Sequence, residues 1–193
     1  MRINSRHIAI LALLILLSIG FGFAFDAIAT AVDRHSYPLV ESLAEQVAQE
    51  SERHGIEEPI LWAVLCTSGG FVSNTVSEDG RIGLMQLSPE VFSFICTELW
   101  RGEAKDAGML YDPTTNLSAG CAYLAYLYTY YGVWEHAHAA YFAGVETVNA
   151  WLEDPENLTA QGVLESIPDE KTAAYVEEVT KAADHYRQLY YQS

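Results

Sequence analysis

Residues 76–89, VSEDGRIGLMQLSP, are the stretch that decides the fold. They overlap the end of another segment, residues 68–83, which contains four glycines and many small polar residues and is typical of a loop around a cleft. Ser88 followed by Pro89 is a typical helix start, so a helix is predicted from there to about Trp100. Because loops of this length are often functional, the candidate site is expected here.

The two segments before this loop are predicted to be helices. Apolar residues at positions 39, 40, 43, 44 and 47 share one helical face, and Gly55 provides the stop. Glu57-Glu58-Pro59 then places acids and a proline where a second helix begins. The sequence that follows, ILWAVLC at residues 60–66, is apolar on every side, which predicts a helix at the centre of the core.

The remainder of the chain is also predicted to be helical, which makes the fold all-α. Asp112-Pro113 opens a helix that ends at Gly132, two shorter helices follow at about 135–152, and a last one runs from about Asp169 to Tyr190. No alternating run is long enough for a strand. In the helix before Gly132 the predicted inward positions are Leu117, Cys121, Leu124, Tyr128 and Tyr131.

Residues 8–25, IAILALLILLSIGFGFAF, form an uncharged stretch of 18 residues that follows Arg2 and Arg6. We expect a membrane anchor with its linker over residues 1–31, and a signal peptide removed near Ala27–Ala31 is the alternative. The positive-inside rule keeps the two arginines in the cytoplasm. Residues 32–193 then form one extracytoplasmic domain, attached to the cell membrane by a single pass or, after cleavage, secreted.

Charge and cysteine content exclude several functional classes. Residues 26–193 carry 8 basic against 26 acidic residues, a formal charge of −18, which opposes binding to the phosphates of nucleic acid. No CxxC, HExxH or Cys/His cluster indicates a metal site, and no cofactor is expected. Three cysteines permit at most one disulfide, and the sequence does not identify the pair.

Four motifs in order give the chain a family resemblance. Residues 76–89 resemble VSxxGAxGLMQxxP, residues 112–124 resemble DPxxNIxxGxxYL, residues 140–152 resemble AYNAGxxxVxxWL, and residues 167–176 resemble IPxxETRxYV. This pattern resembles the lytic transglycosylase domain of the soluble-lytic-transglycosylase (SLT) type, a relative of goose-type lysozyme, over about residues 37–190. The resemblance implies a lysozyme-like fold and an action on the glycan strands of peptidoglycan.

The chain departs from this family at the catalytic position. In the family, a glutamate within an ES-x-F motif at the end of the buried second helix protonates the glycosidic oxygen. It then acts as base on the muramic acid 6-hydroxyl, which closes a 1,6-anhydro ring. Alignment without gaps places Ser68 at this position. A serine hydroxyl holds its proton too tightly to act as a general acid, so the resemblance implies a catalytically silenced domain.

Other positions of the family's cleft are partly retained. By resemblance, Met85, Gln86 and Tyr141 are candidate substrate contacts. Phe142 replaces the asparagine of AYNAG, and Lys171-Thr172-Ala173 replaces the triplet ETR. The principal hypothesis is therefore a domain that still recognises peptidoglycan glycan strands or a cell-wall protein without normal lytic activity.

Two alternatives remain open. The first is an active murein transglycosylase that uses a displaced carboxylate, for which Glu78, Asp79, Glu146 and Glu170 are candidates, although each also fits a solvated surface acid. The second is a protein-interaction scaffold without affinity for glycan. A serine nucleophile at Ser68 is disfavoured, because the histidines are scattered and no acid is placed to orient one.

Overall fold

The computed structural model describes residues 32–192, and their helical content confirms the all-α prediction. The chain divides between Pro38 and Leu39 into two compact units, and in the described part of the first unit residues 32–36 are helical. The predicted anchor at residues 8–25 lies outside the described residues. No helix within residues 32–192 combines the length and the apolar character needed to cross a bilayer.

The second unit consists of helices joined by loops and short turns. Its α-helices are α1 (Glu41–His54), α2 (Glu58–Gly69), α3 (Pro89–Phe94), α4 (Pro113–Tyr131), α5 (Trp134–Ala143), α6 (Val145–Leu152) and α7 (Glu170–Tyr186). Two π-helical turns follow α3 and α7, at Ile95–Leu99 and Arg187–Tyr191. Two 3-10 turns lie at Ala107–Tyr111 and Pro155–Asn157. Within the described chain, β pairing is limited to three isolated bridges.

The helix ends confirm the start and stop signals of the sequence. Gly55 closes α1 in the left-handed conformation, with φ of 65°. The hydroxyl of Ser88 accepts a hydrogen bond from the Val91 amide at the start of α3, and the Asp112 carboxylate accepts one from the Thr115 amide at the start of α4. The side chains of Ser88 and Asp112 thus pair backbone amides that have no partner within their own helices.

The helix expected from Ser88 to Trp100 is α-helical only as far as Phe94. It continues as a π-helical turn, in which the Trp100 amide donates to the Ile95 carbonyl at 2.8 Å. The wider turn ends with the Trp100 ring edge-on to Phe92, with ring centroids 6.2 Å apart. The existence of the helix was therefore predicted correctly, but the change in its winding was not.

The core is built around α2, as its apolar sequence predicts. Every side chain from Ile60 to Leu65 is at most 2% exposed, and α7 is the helix that packs most extensively against α2. In α4 the predicted inward positions Leu117 and Leu124 are fully buried. The prediction is wrong at Tyr128, which is exposed while the neighbouring Leu127 is buried. Tyr128 lies near the end of α4, where its ring stacks on Trp134 of α5 instead of entering the core.

The loop between α2 and α3 is held in the core by Asn116 of α4. The buried amide of Asn116 donates to the carbonyls of Ile82 and Leu110 at 2.8 and 2.9 Å, and its oxygen accepts from the Met85 amide at 2.8 Å. Gly83 has φ of 81°, and a Cβ there would lie 2.2 Å from the Asn116 amide nitrogen. Glycine is therefore required for this close approach.

All three cysteines lie within the described residues, and none forms a disulfide. Cys96 and Cys121 are buried, and Cys66 is half-buried. The sequence permitted one disulfide, and the structure has three free thiols instead. These thiols act as small packing groups.

Candidate functional site

A cleft of about 560 Å³ opens where the end of α2, the following loop, the end of α5 and the start of α7 meet. The sequence predicted a cleft beside this loop, and of the other positions that it associated with the cleft by resemblance, Tyr141, Phe142 and Lys171 line it. The side chains that line it include Ser68, Glu78, Arg81, Gln86, Phe142 and Tyr175.

Ser68 lies in the last turn of α2 and is half-buried. Its Oγ is 3.2 Å from the hydroxyl of Tyr175 on α7, close enough for a hydrogen bond. Burial raises the pKa of Tyr175 to about 12, so its phenol is neutral at physiological pH. At the position that resembles the family's glutamate, the chain thus has a serine hydroxyl, and its partner is the neutral phenol of Tyr175.

Phe142 packs against the tyrosine of this pair. Its ring stacks on the ring of Tyr175, with centroids 4.8 Å apart and planes at 26°. The guanidinium of Arg81 lies 5.1 Å from the Phe142 ring centroid, within the range of a cation–π contact. An apolar ring and a cation therefore occupy the part of the cleft where the family motif has an amide.

Arg81 connects the loop to the end of α5. Its Nη2 donates to the Phe142 carbonyl at 2.5 Å, its Nη1 to the Tyr141 carbonyl at 3.4 Å, and its Nε to Asp79 at 2.8 Å. Neither Arg81 nor Tyr175 is among the site residues predicted from the sequence. For Arg81 a signal was present, because the motif it belongs to has alanine at that position.

The candidate acids are separated by the structure. Glu78 and Asp79 line the cleft that contains Ser68, and both are exposed. The Ser77 hydroxyl and then the Arg81 guanidinium lower the pKa of Asp79, which keeps its carboxylate ionised. Glu146 lines a different cavity, whereas Glu170 is the exposed first residue of α7 and does not line the cleft.

Of the three candidate substrate contacts, Met85 lies away from the cleft, whereas Tyr141 and Gln86 line it. Met85 is fully buried and does not line the cleft, and its carbonyl accepts a hydrogen bond from the Tyr141 hydroxyl at 2.8 Å. Tyr141 and Gln86 do line the cleft, although both are largely buried. Gln86 donates to the Gly83 carbonyl at 2.8 Å, which stabilises its own left-handed backbone, with φ of 50°.

Within residues 32–192 no group of three or more His, Cys, Asp or Glu side chains is arranged to hold a metal ion. His136 accepts a hydrogen bond from the Leu164 amide at 3.0 Å. His138 is buried, and neither of its ring nitrogens has a hydrogen-bond partner.

A helical body with a central buried helix, a cleft at its end and the LMQ loop beside it defines the lysozyme-like transglycosylase fold. The chain belongs to the Transglycosylase SLT domain family, whose sequence profile matches residues 45–163. This result confirms the family resemblance, and the matched residues include the first three of the four motifs.

Relatives of known sequence are named as murein transglycosylases. The chain is 34% identical to the soluble lytic murein transglycosylase of Salmonella typhimurium over 110 residues, which cover 56% of this chain and 17% of that protein. It is 28% identical to the membrane-bound lytic murein transglycosylase C of Edwardsiella ictaluri over 122 residues, 61% of this chain and 33% of that protein. The chain thus matches only a minor part of these relatives.

Solved structures share the fold. The 70 kDa soluble lytic transglycosylase of Escherichia coli superposes with a TM-score of 0.71 at 26% identity, covering 81% of this chain and 25% of that one. An inactive mutant of lytic transglycosylase Slt from Pseudomonas aeruginosa, in which a glutamate is replaced by glutamine, gives a TM-score of 0.68 at 27% identity. The latter covers 79% of this chain and 24% of that one.

Proposed function

We propose that this chain is an extracytoplasmic, peptidoglycan-recognising SLT domain whose lytic step is silenced at Ser68. The observation that carries the proposal is the hydrogen-bonded pair of Ser68 and Tyr175, because the motif resemblance aligns Ser68 with the family's glutamate. Cleavage of a glycosidic bond needs a group that donates a proton near neutral pH, then takes one back. Neither hydroxyl does this, because both hold their protons far above that pH.

The groups around the pair support the same conclusion. A carboxyl that acts as a general acid near neutral pH needs apolar surroundings that raise its pKa. Asp79 has a lowered pKa and is tied to Arg81, so it is an anion rather than a proton donor. The cleft nevertheless keeps a volume of about 560 Å³ and polar groups such as Gln86 along its wall, which suits recognition without cleavage.

The location outside the cytoplasm is part of the proposal. It is supported by the uncharged stretch at residues 8–25 behind Arg2 and Arg6, and by relatives whose names place them at membranes or on murein. A single-pass anchor is the preferred arrangement, with secretion after cleavage as the alternative.

The test combines binding and product analysis of the full-length chain with purified peptidoglycan. We expect the protein to co-sediment with peptidoglycan, and mass spectrometry to detect no 1,6-anhydro-muropeptides above a protein-free control. Protein-dependent anhydro products would overturn the silenced assignment. Failure to co-sediment would overturn peptidoglycan recognition and favour a protein-interaction scaffold.

An active enzyme with a displaced carboxylate is the second candidate, and one observation favours it: Glu78 lines the same cleft as Ser68. Its exposure argues against it, because solvent removes the apolar enclosure that a general acid requires. If anhydro products do form, Glu78→Gln should abolish them. The matched control is Glu103→Gln, which removes the same charge from an exposed position outside the cleft.

A further inference from the structure

A second large cavity lies beyond the cleft that contains Ser68. A small cavity of about 190 Å³ shares Tyr141 and Phe142 with the cleft, and shares Tyr123 and Gly144 with a further cavity of about 520 Å³. Gly144 has φ of 91° and ψ of 152°, a conformation that favours glycine, and a Cβ built there would meet no atom within 4 Å. The junction is therefore open, and one extended ligand has room to reach from the cleft into the further cavity.

The wall of this further cavity is aromatic. Phe94 of α3 lies with its ring centroid 5.2 Å from that of Tyr126 and 6.3 Å from that of Tyr123, both on α4. The two tyrosine rings stack at 6.2 Å. Because the rings pack on one another, they form a fixed surface with little conformational entropy to lose on binding. We call the cavity formed by these rings with Glu90 and Glu146 the aromatic compartment.

Two carboxylates belong to the aromatic compartment. Glu90 lies in the first turn of α3 and Glu146 in the first turn of α6, and both are exposed. Neither is in an ion pair within the described residues, and no lysine or arginine lines the compartment. Hydrogen bonds from its own backbone amide and from Ser88 lower the pKa of Glu90, so this group is anionic at neutral pH.

We infer that the aromatic compartment binds a primary ammonium group, carried by a peptide attached to the ligand that occupies the cleft. Aromatic faces attract cations through their quadrupoles, and the carboxylates Glu90 and Glu146 supply the complementary charge. A neutral sugar would use the rings but would leave both carboxylates without a counter-charge. The inference deepens the proposed function and rests on it, since it identifies the part of the ligand that lies outside the cleft.

The test uses a small probe with a single charge, Nα-acetyl-L-lysine amide, and its Nε-acetylated analogue as the uncharged control. NMR titration of the full-length chain should show binding of the charged probe and at least about tenfold weaker binding of the acetylated one. Rising ionic strength should weaken binding of the charged probe only, because the carboxylates are exposed. Equal affinity for the two probes, or no binding of the charged one, would overturn the inference.

Variants locate the binding to the aromatic compartment. Tyr126→Leu, Glu90→Gln and Glu146→Gln should each weaken binding of the charged probe about twofold to fivefold. Glu153→Gln is the matched control, because this exposed carboxylate follows α6 and does not line the compartment. An unchanged affinity in all three variants would place the probe elsewhere and contradict the assignment.

Peptidoglycan co-sedimentation separates this inference from the proposed function. If peptidoglycan binds without anhydro products while the charged probe does not bind, only the ammonium site fails. If the probe binds at the aromatic compartment but peptidoglycan does not co-sediment, the proposed recognition of peptidoglycan fails instead.

Discussion

The hydroxyl groups of Ser68 and Tyr175 meet at 3.2 Å, across the contact between the last turn of α2 and the second turn of α7. This contact joins the most extensively packed pair of helices in the second unit, so the position of Ser68 is held by the core rather than by the loop. A side chain introduced there would enter the cleft from a rigid element. Introduction of a carboxyl at this position is therefore a direct test of the proposed silencing.

Ser68→Glu should introduce measurable formation of 1,6-anhydro-muropeptides. A general acid contributes roughly 10²–10⁴ in rate, and we expect less than this range because Phe142 covers the side where the family motif has asparagine. Adding Phe142→Asn should raise the rate further. The assay is mass spectrometry of products released from purified peptidoglycan.

Ser68→Gln is the matched control for this gain of activity, since glutamine has the shape of glutamate without its proton. It should produce no anhydro products. Equal activity of the Glu and Gln variants would show that the introduced carboxyl is not the proton donor, and would contradict the proposed silencing at Ser68.

Arg81 should limit the restored activity through its charge. A guanidinium near a carboxyl lowers the pKa of that carboxyl by favouring its anionic form, whereas a general acid needs a raised pKa. Arg81→Ala in the Ser68→Glu background should therefore move the alkaline limb of the pH profile of kcat/KM to higher pH, by about one unit. The alanine is also the residue of the family motif at this position.

The control is Arg101→Ala in the same background, which removes an exposed arginine that does not line the cleft. Its pH profile should match that of Ser68→Glu alone. If the alkaline limb of the pH profile does not move in the Arg81→Ala variant, or moves to lower pH, the guanidinium does not lower the pKa of the introduced carboxyl. Thermal unfolding of both variants shows whether the lost contacts to Tyr141 and Phe142 also destabilise the fold.

Local signals in the sequence predicted the helices because helix ends depend on neighbouring residues. Gly55, Ser88 and Asp112 each act on amides or carbonyls within a few positions, and all three serve the roles that their sequence context indicates. The exposed Tyr128 shows the limit of this reasoning. It packs on Trp134 with ring centroids 4.1 Å apart, a partner that spacing within one helix does not reveal.

The cleft was predictable in location but not in its contacts. The motif pattern identified Ser68, yet its partner Tyr175 lies 107 residues further along the chain, and only the packing of α7 on α2 brings them together. Met85 shows the same limit, because the family motif suggests a side-chain contact with substrate. The structure instead buries that side chain and uses the backbone carbonyl to hold Tyr141.

Asn116→Ala should destabilise the fold by about 3 kcal/mol. The substitution leaves the buried carbonyl of Leu110 and the amide of Met85 without partners, while the Ile82 carbonyl keeps only its hydrogen bond from the Leu87 amide. Each unpaired buried group costs about 1–3 kcal/mol before relaxation. Equilibrium unfolding in urea measures the change in the free energy of unfolding. The loop beside the cleft should also become more susceptible to proteolysis.

Asn149→Ala is the control for Asn116, because this half-buried asparagine on α6 accepts a single hydrogen bond from the Tyr131 hydroxyl and donates to Tyr130 near the surface. It should cost about 1 kcal/mol or less. Similar losses at the two positions would contradict the role assigned to Asn116 in holding the loop.

His138 should make the fold sensitive to acid. Burial lowers the pKa of His138 to about 4, against 6.5 in the unfolded chain, and neither ring nitrogen has a partner that would stabilise the charged form. Between these two values the unfolded state binds a proton that the folded state does not. The free energy of unfolding is therefore unaffected by His138 above about pH 6.5 and falls as the pH decreases towards 4, by roughly 2–3 kcal/mol at pH 4.5.

His138→Phe removes the titrating group and keeps a ring against Trp134, whose centroid lies 5.3 Å from that of His138. Urea unfolding at pH 7.0 and pH 4.5 should show a smaller loss of stability in this variant than in the parent chain, by about 2–3 kcal/mol. Burial also lowers the pKa of His54 and His136, so part of the acid sensitivity should remain. His35→Gln, at an exposed position, should behave like the parent. If His138→Phe loses as much stability as the parent between the two pH values, protonation of the buried imidazole does not cause the acid sensitivity.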